Sequence, residues 1–214
     1  MYLIEQDDLS EEFLTAWKLA GSHFQKMGQG STNWIRDNLN KPFVEHLSFR
    51  IGNQLFFIFI EIYNVLFETK KEFFLSVCEE ANAIPCLFRM QRVFSSFEPT
   101  LGGWGLVNAI DGTNVNPLEL VSNELIPMTD WEVHDFGIKF IKNHIKNQGN
   151  EILSSQSSLT IYPNIWFKDL KNGKTHWVIV KSARHGFYPD YTDGCKTAEN
   201  SKSLFATRRL IRGL

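Results

Sequence analysis

The sequence predicts an α+β (or α/β) protein, an N-terminal ββαββ block followed by an αβββα unit. Three features predict it. A Gly-Asn turn, Gly52-Asn53, separates two apolar runs of β character; Thr69/Glu72 and Thr129/Glu132 each form an S/T-x-x-E capping box before an apolar periodic stretch; and three short β-like pieces follow the second of these. Residues 1–126 therefore read as an N-terminal α+β region. Residues 127–214 read as the αβββα unit with a basic final helix, and the two can pack as one domain.

The elements follow in order. Ser10 can cap a first helix over 11–27, where Phe13, Trp17, Ala20 and Phe24 recur at helical spacing and Gly28 supplies a stop. Residues 28–31 read as a loop. Residues 43–51 and 54–63 read as a hairpin around Gly52-Asn53: Leu47, Phe49 and Ile51 alternate on the first strand, and Leu55–Ile60 is apolar on both faces, as a central strand covered on both sides would be. After the Thr69/Glu72 box, Phe73, Phe74, Val77, Cys78 and Ala81 make one apolar helical face. Strands are expected at 84–93 and 104–110, separated by a polar loop, so that 43–110 forms the ββαββ block. Asp111-Gly112 is a turn, and 117–125 a short helix.

A helix over 130–148 follows the Thr129/Glu132 box, with Trp131, Phe136, Phe140, Ile141 and Ile145 read as its apolar face and Gly149 as its stop. Strands are expected at 151–155, 164–168 and 176–182, the last two joined by a turn at 171–174. Residues 186–200 read as a loop and 201–211 as a basic helix.

Composition narrows the function classes. The chain has 214 residues, 43% hydrophobic and 14% aromatic, with 22 basic and 24 acidic side chains, a globular balance. No apolar run reaches the roughly 20 residues of a membrane span, and the first ten residues are acidic, so the reading is a soluble, cytoplasmic protein. Cys78, Cys86 and Cys195 show no C-x-x-C or other zinc spacing, so no cysteine metal site is expected. Charge is uneven: residues 163–214 carry ten Lys and Arg against four Asp and Glu, while the rest is acidic. Lys171, Lys174, Lys181, Arg184, Arg208, Arg209 and Arg212 are the candidate nucleic-acid contacts, provided they converge on one face.

The chemistry-bearing pattern is helix, strand, strand, strand, with Pro163-Asn164 entering the second strand and Val178-Ile179-Val180-Lys181 on the third. Over residues 130–185 it resembles the core of the PD-(D/E)XK nuclease superfamily, the restriction endonuclease-like fold. The resemblance implies a Mg²⁺-dependent nuclease in which an acid near a proline and an acid two positions before a lysine hold the ion. Here those acid positions fall at Asn164 and Ile179, with the lysine at Lys181. Both acids are absent, and an alkyl side chain cannot ligate Mg²⁺.

The expectation is thus a degenerate site without a metal, in a non-catalytic protein that binds a protein partner or, weakly, nucleic acid. One alternative is an active nuclease that uses displaced carboxylates, Asp135 or Glu132 on the helix or Asp169 after the second strand, and only that alternative calls for Mg²⁺. Another is an inhibitor or immunity-type interaction module. Gln156, between serines, lines the candidate cleft or ends a strand. His176 and His185 bracket the third strand and read as structural or surface residues. No G-x-S-x-G elbow accompanies a Ser-His-Asp set, and Gly102-Gly103-Trp104-Gly105 lacks the context of a nucleotide fingerprint.

Overall fold

The computed structural model describes residues 9–37, 39, 44–62 and 66–184, residues 66–69 by their backbone alone. The fold is α+β. It divides into two compact units, whose boundary among the described residues falls between Pro127 and Met128.

In the first unit, helix α1 (Glu11–Gly28) is capped by Ser10, whose Oγ accepts the Phe13 N–H at 3.1 Å. Strand β1 (Asn33–Arg36) was not anticipated: at four residues it is too short for alternation to show. Strands β2 (Leu47–Ile51) and β3 (Gln54–Glu61) form the expected hairpin. Gly52 sits there at φ +55°, and a Cβ on it would collide with Val121. Helix α2 (Leu66–Ala81) crosses from β3 to the parallel strand β4 (Ile84–Val93). That crossover explains the doubly apolar β3: Phe56, Ile58 and Ile60 belong to the core cluster that contains Phe13, Ala16, Ala20 and Phe24 of α1, while Phe59 meets Phe74 of α2 at 5.7 Å.

Four expectations for this unit need correction. The backbone of α2 is helical from residue 66, so Thr69 lies inside the first turn and does not cap it. Phe73 lies at the margin of the buried face and is 38% exposed. The stretch after β4 contains β5 (Ser96–Pro99), which turns back on β4 in a tight hairpin, and the next strand, β6 (Leu106–Asn108), is shorter than 104–110. The expected helix at 117–125 shrinks to a single 3₁₀ turn, Pro117–Glu119, after β7 (Asn114–Val115). Asn53 holds the chain beyond that turn extended, donating to Ser122 Oγ at 2.8 Å and to the Glu124 carbonyl at 3.0 Å. The sheet order is β1-β2-β3-β4-β6-β7, with β5 also on β4.

The second unit begins with helix α3 (Asp130–Asn147), whose capping box is formed: Glu132 N–H donates to Thr129 Oγ1 at 3.2 Å, and Thr129 N–H donates to Glu132 Oε2 at 2.8 Å. Strands β8 (Glu151–Ser155), β9 (Ile165–Lys168) and β10 (Thr175–Val178) form an antiparallel meander in the order β10-β9-β8. Ile138, Ile141 and Ile145 of α3 cluster with Ile165, Val178 and Val180, and with the half-buried Ile152 and Phe167.

The apolar face assigned to α3 from sequence is corrected. Its buried residues are Trp131, His134, Asp135, Ile138, Ile141 and Ile145, whereas Phe136 and Phe140 are 47% and 62% exposed. At about 100° per residue, Phe136 and Phe140 stand about 140° and 180° round from Trp131, on the far side of the helix. The ladder of β10 also ends at Val178, short of residue 182. The expected loop 186–200, the helix 201–211, His185 and Cys195 lie outside the described residues. No helix among the described residues is long and apolar enough to cross a membrane.

Candidate functional site

Asn164 is fully buried where the chain enters β9. Its backbone N–H donates to Val178 O at 3.0 Å, and its carbonyl accepts from Gln156 N at 2.9 Å. Beyond Val178 the β10 ladder ends, and among the described residues the Asn164 side chain takes over: Oδ1 accepts the Val180 N–H at 2.9 Å. This fixes which way the amide points. Nδ2 then donates to Ile161 O at 3.3 Å and approaches His134 Nε2 at 3.3 Å.

His134 is buried on the sheet-facing side of α3. With Asn164 presenting a donor to Nε2, the arrangement assigns the tautomer with Nε2 as acceptor and the proton on Nδ1, which faces Ser182 Oγ at 3.4 Å. In this tautomer His134 cannot take a proton from Ser182. The Ser182–His134–Asn164 row has the residue types of a catalytic triad, but its protons run the wrong way for a serine nucleophile. Gly137 makes the row possible, because a Cβ there would press on Ser182 Oγ.

The segment between β8 and β9 is tied down by polar side chains. Gln156 Nε2 donates to the carbonyls of Ile161 and Pro163, and its Oε1 accepts the Ser158 N–H at 2.7 Å. Gln156 is therefore a loop staple. Asp135, 4% exposed, accepts from Ser157 Oγ at 2.6 Å and pairs with Lys139 Nζ at 2.9 Å. Tyr162, joined to Pro163 by a cis peptide, donates to Leu159 O at 2.8 Å and receives Lys181 Nζ at 2.9 Å.

The other sequence-nominated residues disperse. Ile179 is half-buried just past β10. Asp169 accepts Lys171 N–H at 2.8 Å and Asn172 Nδ2 at 2.7 Å, which shapes the β9–β10 turn, and five residues of extended chain put it about 16 Å from Asn164. Glu132 is engaged in the capping box. His176 stacks on Phe167 with centroids 5.3 Å apart. Of the candidate basic residues, the four that are described stand apart: Lys171 and Lys174 lie at the turn end of the hairpin, Lys181 meets Tyr162 at the opposite end, and Arg184 pairs with Asp130 at the start of α3. Arg208, Arg209 and Arg212 lie outside the described residues.

Sequence reasoning missed His134, Ser157, Tyr162 and Ser182. The available signal was a polar pair, His134-Asp135, at positions i+3 and i+4 from Trp131, on the face that Ile138 and Ile141 continue. In the first unit, Cys78 and Cys86 are buried, and burial pushes both thiols up, away from nucleophilic chemistry. Among the described residues no group of three or more His, Cys, Asp or Glu side chains is placed to hold a metal ion.

A family model described as a domain of unknown function (DUF8840) matches residues 131–206. No curated protein and no solved structure matches the chain.

Proposed function

We propose that the chain is a cytoplasmic, non-catalytic binding protein whose second unit is a degenerate PD-(D/E)XK nuclease-like core. The observation that carries this reading is the use made of Asn164. At the position where such a nuclease offers a carboxylate to Mg²⁺, the only side-chain oxygen of the fully buried Asn164 is committed to Val180 N–H. Taking it for a metal would strand a buried backbone donor, at a cost of about 1–3 kcal/mol. Ile179 supplies no ligand at the second position.

The partner that fits best is a protein. Phosphate recognition by a duplex binder needs several cations on one face, and here the described candidate lysines Lys171, Lys174 and Lys181 are split between the two ends of one hairpin, with Arg184 paired to Asp130. The inhibitor or immunity-type module is one form of this reading.

A second reading keeps the nuclease active through displaced acids, and the burial of Asp135 beside Ser157 favours it, as a described carboxylate on the same helix as His134. Its weakness is that Asp135 is held by Lys139 and that Asp169 belongs to a distant turn. Incubation of the purified full-length chain with labelled DNA and RNA in Mg²⁺ or Mn²⁺ separates the two. The binding reading predicts no cleavage. Divalent-dependent cleavage lost on Lys181→Ala and on Asp135→Asn would replace it with the nuclease reading.

A further inference from the structure

The meander β8–β10 has two faces, and α3 covers one of them. Ile165 and Phe167 on β9 and Val178 on β10 cluster with the helix isoleucines. By strand alternation the other face carries Trp166 and Trp177, directly opposed cross-strand partners whose Cβ atoms stand about 5 Å apart. Trp166 is 39% exposed and Trp177 half-buried. Side by side on a strand pair, the two indoles form an aromatic platform.

What such a platform takes is decided by the groups around it. Lys168 follows Trp166 two residues on, on the same face, and Lys171 and Lys174 stand on the turn that joins β9 to β10. All three lysines are exposed, and among the described residues none of them is in an ion pair. The carboxylate within the turn, Asp169, is taken up by the Lys171 backbone N–H and by Asn172 Nδ2. Glu151 stands across from Lys168 on β8, so the uncompensated positive charge is that of the turn. Three residues of strand, about 10 Å, separate Lys174 from Trp177.

A ligand that uses both features is flat and aromatic at one point and anionic at the next. Unpaired bases with their phosphates alternate in this way. A duplex does not fit, because its bases are stacked on one another and cannot lie on the indoles, and an apolar peptide would leave the lysines unused.

We infer that the Trp166–Trp177 face binds single-stranded nucleic acid, with bases stacked on the indoles and the adjoining phosphates met by Lys171 and Lys174. Every base has a π face, so the binding is sequence-tolerant. The inference goes beyond the protein-binding reading, and it uses neither Asn164 nor Asp135, so it stands or falls separately from the nuclease-like core.

Fluorescence anisotropy of short fluorescein-labelled oligo(dT) and oligo(rU), titrated with the full chain at two salt concentrations beside a duplex of equal length, tests it. Both single strands are expected to bind, and the duplex more weakly. Trp166→Leu, which keeps an apolar side chain and removes the ring, weakens single-strand binding about tenfold, and Trp166→Phe restores most of it. Lys171→Ala combined with Lys174→Ala flattens the fall of log K against log salt by about 1.4, at about 0.7 per phosphate neutralised on a single strand. The lysine pair lies in an exposed turn, so this arm holds even where Trp166→Leu fails to fold. Absence of single-strand binding at low salt would overturn the inference and leave the face to a protein. So would equal affinity for strand and duplex, or affinity unchanged in both sets of variants, which assigns the binding to another part of the chain.

Discussion

Asn164 Oδ1 accepts the Val180 backbone N–H at 2.9 Å, so a side chain at the mouth of β9 continues a strand ladder that the backbone itself has ended. This one bond joins the entry of β9 to the chain leaving β10, and it orients the amide toward His134. Asn164 is thus a structural clasp.

Asn164→Ala is expected to destabilise the second unit by about 2 kcal/mol, because the buried Val180 N–H loses its acceptor. Asn164→Asp keeps that acceptor and should cost less, although it gives up the donation to Ile161 O. Hydrogen exchange of the β9 and β10 amides under native conditions reads the second unit separately from the first. Equal stability of wild type and Asn164→Ala would remove the clasp from the account.

Gly137 and Ser182 form a testable pair. Gly137→Ala gains helix propensity of about 1 kcal/mol, yet its methyl meets Ser182 Oγ against a packed wall that includes Val180, a misfit of about 1–3 kcal/mol. The single variant should therefore be neutral to destabilised, whereas Gly137→Ala combined with Ser182→Ala should exceed Ser182→Ala in stability. A double-mutant cycle with no coupling would show that the two do not touch.

The first unit should lose stability as the pH falls below neutral. His46 is buried between Phe13 and Phe59 and accepts the Ile60 N–H on Nδ1 at 2.9 Å. Burial, reinforced by the charge of Lys70, lowers its pKa to about 3 from 6.5. The unfolded chain therefore binds a proton below pH 6.5 that the folded chain refuses until about pH 3, and stability falls across that window. From pH 7 to pH 5 the loss from this residue is about 2 kcal/mol. His23, also lowered by burial, acts in the same direction. Urea midpoints of wild type and His46→Gln over this range check it: the variant is less stable at pH 7 and has the shallower pH slope. Parallel slopes would mean that His46 is not the responsible group.

The sequence made some of this legible and hid the rest for physical reasons. The hairpin at Gly52, the doubly apolar β3, α1 and both ends of α3 were readable because each rests on local chemistry: a turn glycine, β-rich runs, a capping serine, a capping box. The inner face of α3 was not, because large aromatics at Phe136 and Phe140 outweighed phase, and the polar His134 and Asp135 occupy the core positions. The start of α2 was misplaced because a capping-box pattern occurs within a helix that begins one turn earlier. Asn164 was singled out by its neighbour Pro163, but its role depends on Val180, Ile161 and His134, which only the fold brings together. The basic residues looked like one group along the chain, and the hairpin places the described lysines Lys171 and Lys174 at one end and Lys181 at the other.

The central claim is that the Asn164 oxygen belongs to Val180 and is not offered to a metal. Amide exchange at Val180, followed by NMR in the full chain with and without millimolar Mg²⁺, tests it most directly. The account predicts a Val180 amide protected to the level of its β9 and β10 neighbours, indifferent to Mg²⁺, and deprotected in Asn164→Ala. An amide that exchanges freely in the wild type, or one released when Mg²⁺ is added, would contradict it.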